Sequence, residues 1–208
     1  KPYLGSMGIY LFKTKVLADL LQNPALDDFG SDVIPSAIKT HSVYGYDFSG
    51  YWEDIGTIRA FYEANLDLAS PLPKFNFFDT DSPIYTRSRY LPPSKLHNCD
   101  IDNSMVSEGC ILNGVYARNS IIGLRSRIDA GVRIEDSIVM GSDSYESIEE
   151  IRSDLENQVP YVGIGRDTLI RKAIIDKNVR IGKNVRLLNE SGKTHLDADD
   201  GSFYIREG

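Results

Sequence analysis

The sequence is poor in the residues that build disulfide scaffolds, zinc clusters and membrane spans. Its 208 residues include two cysteines, three histidines and one tryptophan. Cys99 and Cys110 form no C-x-x-C pattern, and His41, His97 and His195 are scattered without metal-ligand spacing. No run of about 18 apolar residues is present to cross a bilayer. We therefore expect a protein without a disulfide framework or zinc cluster, folded in a reducing compartment.

Basic residues are outnumbered by acidic ones, with 23 Lys and Arg against 30 Asp and Glu. The formal net charge is -7 and the isoelectric point is about 5.0. This balance argues against a nucleic-acid duplex or an anionic membrane surface as a partner, so any anion site must be local. With 41% apolar residues the chain can bury a core and build one or two domains.

The first third of the chain alternates predicted strands with predicted helices. Residues 6–12 and 43–52 are rich in strand-forming residues. Residues 14–22, 28–40 and 57–69 show helical spacing or helix-start signals. Alternation of this kind predicts an α/β layer architecture.

A proline-rich stretch separates this α/β part, residues 1–69, from the C-terminal half of the chain. Residues 70–95 cannot form one helix because five prolines interrupt them, and we interpret them as a linker. Its aromatic side chains are expected to pack on neighbouring structure. They are Phe75, Phe77, Phe78 and Tyr85.

In residues 96–208 the aliphatic residues recur every six positions. One series is Ile122, Ile128, Ile134; a second is Val132, Ile138; later series are Ile164, Ile170 and Ile175, Ile181, Leu187. Small residues follow several of them, as in Ile122-Gly123. A six-residue period is typical of a parallel β-helix, in which each aliphatic side chain points into the prism.

Two charged segments accompany these repeats: one interrupts the period, and the other lies within the later repeats. Near 142–158 six acidic residues accompany an apolar stripe, which predicts an inserted amphipathic helix with a solvated acidic face. Residues 161–193 contain eight basic residues against three acidic ones. The basic excess fits either a solubilising exterior or a local phosphate site, since phosphate is bound by arginine and lysine.

The octapeptide GYWEDIGT at 50–57, followed by a hexapeptide β-helix, resembles the ADP-glucose pyrophosphorylase family. SMGIYLF, DFGSDVIP, LPPSK, SIIGLRSRI, IVMGSDSYE and AIIDKNVRIGKNV occur in the family's order, nearest to plant and cyanobacterial members. The resemblance implies an α/β nucleotidyltransferase-domain remnant followed by a left-handed parallel β-helix. The family's Gly-rich loop is absent, so we interpret the chain as a C-terminal portion that is inactive alone.

The resemblance also implies a function. Members form ADP-glucose and pyrophosphate from ATP and glucose 1-phosphate for glycogen or starch synthesis. They use Mg²⁺, assemble as homo- or hetero-tetramers and respond to phosphorylated metabolites. Bacterial cytoplasm is the expected location, with plastid stroma as the alternative; no nucleic acid or membrane partner is expected.

Four residues match functional positions of the family. By resemblance, Asp54 in WEDIGT is a catalytic carboxylate and Mg²⁺ ligand, although Asp-x-Gly-Thr is also ordinary helix-cap chemistry. Ser6 matches a glucose contact, but a strand-end serine can also be satisfied by the backbone. Arg125 in GLRSRI and Lys177 in IIDKNVRIG match phosphate-contacting residues of the effector site.

Three other functions stay open. A regulatory or oligomerisation subunit of the same enzyme would retain the β-helix without using its catalytic residues. A pyrophosphorylase for another sugar nucleotide would share most of these motifs. A hexapeptide-repeat acyltransferase would require a positioned histidine among the coils and would lack the WEDIGT motif. The sequence does not match that pattern.

Overall fold

The computed structural model describes residues 5–207, which divide into two compact units at residues 52 and 53. The first unit has three helical elements: α1 (Thr14–Leu20), a π-helical turn (Phe29–Val33) and α2 (Ile34–Thr40). Leu20, Val33 and Ala37 form its buried core. The helical predictions for this part of the chain are confirmed.

Asp28 begins the second helical element. Its Oδ1 accepts a hydrogen bond from the backbone N–H of Ser31 at 2.7 Å and another from the Ser31 hydroxyl at 3.1 Å. These bonds favour the charged carboxylate and lower the pKa of Asp28. The cap satisfies a backbone donor that no helical carbonyl can reach, which explains why DFGSD starts a helix.

The two strands predicted in the first unit, 6–12 and 43–52, are wrong. Neither segment pairs with another strand within residues 5–207. Around residue 11 the side chains alternate as in a strand: Phe12 packs near Phe29 with ring centres 5.9 Å apart, whereas Leu11 is fully exposed. The residue types favour an extended backbone, but a strand also requires a neighbouring strand to hydrogen-bond with.

The second unit begins with helix α3 (Ile58–Asp67), as predicted. The Thr57 hydroxyl oxygen caps it by accepting from the backbone N–H of Ala60 at 3.1 Å. Tyr62 donates its phenolic hydrogen to the carbonyl oxygen of Asp136 at 2.5 Å, and Arg59 pairs with Glu207 at 2.7 Å. These contacts hold α3 against the β-rich part of the unit.

Residues 68–94 contain no helix or strand. Phe75 and Phe77 meet edge to face with ring centres 5.4 Å apart. Phe78 and Tyr85 are 85% and 93% exposed, so the expectation that these two aromatics pack is wrong. The proposed domain bounds, 1–69, 70–95 and 96–208, stay predictions.

A parallel β-helix follows, made of three sheets whose strands recur in turn. Sheet A has the order β1-β4-β7-β10-β13, sheet B β14-β11-β8-β5-β2, and sheet C β12-β9-β6-β3. The strands are β1 (Lys95–His97), β2 (Asp100–Asp102), β3 (Met105–Val106), β4 (Ile111–Asn113), β5 (Tyr116–Arg118), β6 (Ile121–Ile122), β7 (Arg127–Ile128), β8 (Arg133–Glu135), β9 (Ile138–Val139), β10 (Gly163–Ile164), β11 (Leu169–Arg171), β12 (Ile174–Ile175), β13 (Arg180–Ile181) and β14 (Arg186–Leu187). An antiparallel hairpin, β15 (His195–Asp197) with β16 (Tyr204–Arg206), follows the last coil.

The six-residue series forms the core of the prism. Ile122, Ile128 and Ile134 lie on sheets C, A and B, and all are fully buried. Each stacks on a residue of the next coil, as Ile134 does on Ile170. The predicted period is therefore confirmed, because one step of six moves the chain to the next face.

In one predicted series, Val132 and Ile138, the two side chains do not both point into the prism. Val132 belongs to the prism core, but Ile138 does not. Its neighbour Val139 points into the core, and successive strand side chains point to opposite faces. Ile138 is nevertheless 3% exposed, and α3 contacts its strand, β9. The outer face of sheet C is thus covered by a helix, which the period alone did not reveal.

Buried serines satisfy the backbone at the turn between sheets B and C. The Ser120 hydroxyl donates to the Arg118 carbonyl at 2.7 Å and accepts from the Ser137 N–H at 3.2 Å. One coil further on, the Ser137 hydroxyl donates to the Glu135 carbonyl and accepts from the Ala173 N–H. This repeated pattern keeps the buried corner free of unsatisfied polar groups.

Cys99 and Cys110 are free thiols that pack in the first coils, with Cys110 buried. His41, His97 and His195 are all exposed. Within the part of the chain that the structure describes, no helix is both long and apolar enough to cross a membrane.

The hydrogen bond of Tyr62 makes a pH-dependent prediction. Burial, with a contribution from the Asp136 charge, raises the pKa of Tyr62 to about 12. The folded phenol therefore keeps its proton where the unfolded phenol has lost it, so its stabilising contribution is present below pH 10 and decreases as the pH rises through 10 towards 12. We expect Tyr62→Phe to lower the free energy of unfolding by about 1 kcal/mol at pH 8, and by less at pH 11.

Urea denaturation at the two pH values measures this difference. Tyr85→Phe is the matched control, because Tyr85 is 93% exposed and its removal should change neither value. An equal loss for Tyr62→Phe at pH 8 and pH 11 would contradict the prediction.

Candidate functional site

The turn that leads from sheet C back to sheet A brings Arg125 and Lys177 to one edge of the β-helix, which we call the basic corner. Backbone hydrogen bonds stack its coils: Arg125 N–H to Glu108 O at 3.2 Å, Ser142 N–H to Leu124 O at 2.8 Å and Asn178 N–H to Gly141 O at 3.0 Å. Arg125 and the residue after Lys177 are therefore two coils apart, about 10 Å at the usual strand spacing. Two predicted residues 52 positions apart thus share one surface.

Arg125 has an uncommon backbone conformation. Its φ is +57°, in the left-handed region, and this conformation is shared by Gly109 at the stacked position of the preceding coil and by Asn178 two coils further on. Glycine and asparagine adopt this region more easily than arginine does. The side chain points along the corner: Nη1 donates to the Ser142 carbonyl at 3.3 Å, and the guanidinium lies 5.8 Å from the ring centre of Tyr145.

Lys177 is held by an aspartate from the segment after β9. Its Nζ lies 3.0 Å from Oδ1 of Asp143, and the other carboxylate oxygen accepts from Nδ2 of Asn178 at 2.8 Å. Hydrogen bonds from Asn178 and Lys177, with the positive charges of Lys177 and Arg125, hold the pKa of the Asp143 carboxyl below its usual range. Asp143 therefore stays charged between the two basic side chains.

The predicted inserted helix is present as α4 (Ile148–Glu156), which begins with a capping box between Ser147 and Glu150. The expected solvated acidic face is present at Glu149, Glu150 and Glu156, which are exposed, but two other acidic residues of the insertion form ion pairs. Glu146, just before the helix, and Asp154 approach the Arg180 guanidinium at 2.6 and 2.7 Å. Ile148, on the apolar stripe, is 72% exposed instead.

The two carboxylates near α4 lie against the coils, where they meet Arg180. The Glu146 side chain is 13% exposed and also accepts from the backbone N–H of Val162 at 2.7 Å. A carboxylate at that depth needs a positive partner, and Arg180 satisfies two carboxylates at once. Between α4 and the coils lies an open cleft of about 490 Å³, lined by residues that include Asp143, Asn178 and Arg180.

The basic excess in residues 161–193 is therefore partly neutralised within the fold. Lys177 and Arg180 pair with carboxylates near α4, and Arg186 pairs with Glu190 at 2.7 Å. The acidic and basic segments look independent in the sequence, but in the structure they are partners. The opposite charges of these two segments were the sequence signal that could have identified Asp143 as a partner of Lys177.

Asp54 lies in the turn before α3. Its Oδ1 accepts from the backbone N–H of Gly56 at 2.8 Å, and the side chain is exposed. The cap-forming arrangement is therefore present, and it uses one of the two carboxylate oxygens. Within residues 5–207 no group of three or more His, Cys, Asp or Glu side chains forms a metal site, so these residues offer Mg²⁺ one carboxylate rather than a complete site.

Ser6 lies in the first compact unit, whereas Asp54 lies in the second. The Ser6 hydroxyl oxygen accepts from the backbone N–H of Gly8 at 3.2 Å and lies 3.0 Å from the Tyr10 hydroxyl. Gly8 has φ +72° with open space beside it, as expected for a tight turn. The side chain is exposed, and its hydroxyl takes part in local hydrogen bonds.

Comparison with known families agrees with this architecture. A family model described as the GLGC left-handed parallel beta-helix domain matches residues 89–208, which is more than half of the chain. A second, described as nucleotidyl transferase, matches residues 1–70. The left-handed parallel β-helix preceded by a short nucleotidyltransferase segment is therefore confirmed. The chain belongs to the GLGC left-handed parallel β-helix family and is a nucleotidyltransferase-type, sugar-nucleotide pyrophosphorylase-like protein.

Proposed function

We propose that this chain is part of an ADP-glucose pyrophosphorylase of the plant or cyanobacterial type, acting in glycogen or starch synthesis. The observation that carries the proposal is the succession of a nucleotidyl transferase match and a GLGC β-helix match in one chain. In the reaction, a phosphate oxygen of glucose 1-phosphate attacks the α-phosphorus of ATP. The new P–O bond forms as the bond to the β-phosphate breaks, and pyrophosphate leaves.

Within this proposal Asp54 is the catalytic carboxylate and one ligand of Mg²⁺, the cation that hard carboxylate oxygens bind and that phosphoryl-type transfers use. Its position in a turn at the start of α3 supports the role, because the hydrogen bond from Gly56 orients the carboxylate. Ser6 is the glucose contact, with Gly8 beside it allowing close approach of a ligand.

Regulation belongs to the basic corner. Arg125 and Lys177 bind a phosphorylated metabolite there, and the support is their meeting on one edge of the β-helix. Phosphate suits this pair because arginine offers a planar fork of donors and lysine a compact point charge. The protein acts as a homo- or hetero-tetramer in the bacterial cytoplasm or, alternatively, in the plastid stroma.

The test is an assay of the complete product of the gene that encodes this sequence. We expect pyrophosphate release with ATP, glucose 1-phosphate and Mg²⁺, and none after chelation with EDTA. Asp54→Asn should lower kcat by about 10²- to 10³-fold, as when one electrostatic transition-state stabiliser is removed. The Gly56 contact should persist, because the asparagine side-chain oxygen also accepts hydrogen bonds.

Glu53→Gln is the matched control. It removes the same charge from the adjacent position, to which no role is assigned, so turnover should stay near that of the unchanged enzyme. Preference for a nucleotide other than ATP would refute ADP-glucose specificity. Unchanged kcat in Asp54→Asn would remove Asp54 from the catalytic site.

A further inference from the structure

Asp143 presents its carboxylate to the basic corner in the way an anionic ligand would. One oxygen is 3.0 Å from the Lys177 ammonium, and the other accepts from the Asn178 amide at 2.8 Å. The backbone N–H of Asp143 donates to the Asn178 side-chain oxygen at 2.9 Å. The carboxylate thus occupies the donors that a phosphate oxygen at this corner would use.

The contact is well formed but exposed. The side chains of Lys177 and Asp143 are 47% and 62% exposed, and ion pairs this open to solvent are weak and screened by salt. A phosphate group carries about -1.5 to -2 charges at neutral pH, compared with -1 on a carboxylate. At equal distance such a ligand is attracted more strongly to Lys177 and Arg125 than the Asp143 carboxylate is.

Asp143 is also connected to the rest of the insertion. The residue before it, Ser142, accepts the hydrogen bond from Arg125 at 3.3 Å. Tyr145 donates its hydroxyl hydrogen to the Gly109 carbonyl at 2.8 Å, and Glu146 binds Arg180. The short segment 142–146 therefore runs along the basic corner, and a movement of Asp143 would change the contacts at both ends of this segment.

We propose that Asp143 is an internal anion that holds Lys177 in the ligand-free protein, and that a phosphate-bearing effector binds by displacing it. This inference rests on the proposed effector role of the basic corner. It assigns a positioning and affinity-setting role to a residue outside the set that binds the effector. Asp143 opposes effector binding, so its removal should strengthen binding rather than weaken it.

Titration of the purified chain with inorganic phosphate, by calorimetry at constant ionic strength, tests this inference. We expect Asp143→Asn, and equally Asp143→Ala, to tighten phosphate binding by about 2- to 5-fold, the size expected when one exposed ion pair no longer competes with the ligand. Lys177→Gln should abolish measurable binding. In NMR spectra of the unchanged protein, phosphate should shift the side-chain amide signals of Asn178, because that amide loses its carboxylate acceptor.

Glu149→Gln is the matched control, since it removes one negative charge from the exposed surface of α4. Equal tightening by Glu149→Gln and Asp143→Asn would overturn the inference in favour of a general charge effect. Unchanged affinity in both Asp143 variants, with loss in Lys177→Gln, would overturn the inference but leave the effector site standing. Absence of binding in the unchanged protein and in both Asp143 variants would overturn the effector site itself.

Discussion

Replacing Ile134 by alanine should lower the free energy of unfolding of the β-helix by about 2–5 kcal/mol. Ile134 is fully buried and lies on sheet B between Ala117 and Ile170 of the neighbouring coils. Alanine removes three carbon atoms from a site whose walls are hydrogen-bonded strands. The coils cannot close the cavity without breaking those bonds, so both the lost burial and the cavity contribute.

Equilibrium denaturation in urea, followed by circular dichroism, measures the effect. Ile148→Ala removes the same atoms from a side chain that is 72% exposed on α4, and it should change the free energy of unfolding by about 0.5 kcal/mol or less. Equal losses in the two variants would mean that the aliphatic series does not form the stabilising core.

The second large effect is expected at Gly165. A Cβ atom built there would lie 2.7 Å from the carbonyl carbon of Gly182 in the next coil and 2.9 Å from the backbone nitrogen of Lys183. Both atoms are backbone, so relief requires separating the coils and weakening the bond from Gly165 N–H to Ile181 O, now 2.8 Å. We expect Gly165→Ala to destabilise the fold by about 1–3 kcal/mol, as other overpacked sites do.

Gly182→Ala is the matched control in the next coil. A Cβ atom at Gly182 would meet only the Pro160 ring within 4 Å, at an ordinary contact distance of 3.7 Å. Thermal denaturation should therefore show a clearly smaller loss for Gly182→Ala than for Gly165→Ala. The same loss at both positions would show that backbone flexibility, and not coil contact, governs these glycines.

Close coil stacking also matters for the proposed regulation. The basic corner consists of successive coils, and the separation of Arg125 from Lys177 is set by two strand spacings. A change that opens the stack would move these two side chains apart and would disturb the contact between Asp143 and Lys177. Stability of the prism and geometry of the proposed effector site would thus be linked through the same hydrogen bonds.

The fold was largely predictable where the signal was periodic. Ile128 and Ile181 are examples. Every face of the prism needs an inward-pointing aliphatic side chain, so such residues recur at a fixed spacing along the sequence. Helix α3 was also predictable, since Thr57 caps a segment with an apolar face. The strands predicted at 6–12 and 43–52 failed because pairing depends on a second segment, which local composition does not specify.

The candidate site was predictable only in part. Sequence motifs identified Arg125 and Lys177 individually, but nothing local placed them on the same corner. Asp143 belongs to an acidic run whose composition predicts a solvated face, and its side chain is exposed, but only the structure shows that its carboxylate pairs with Lys177. Glu146 belongs to the same run, and it is instead a nearly buried partner of Arg180.

The sequence by itself determined that a six-residue aliphatic period would build a parallel β-helix in the C-terminal half of the chain, because inward-facing positions recur at a constant local spacing. Only the tertiary structure decided which charges meet. The pairing of Asp143 with Lys177, and of Glu146 and Asp154 with Arg180, depends on how an inserted helix folds back across stacked coils. Charge attraction acts through space rather than along the chain, so spacing in the sequence does not reveal it.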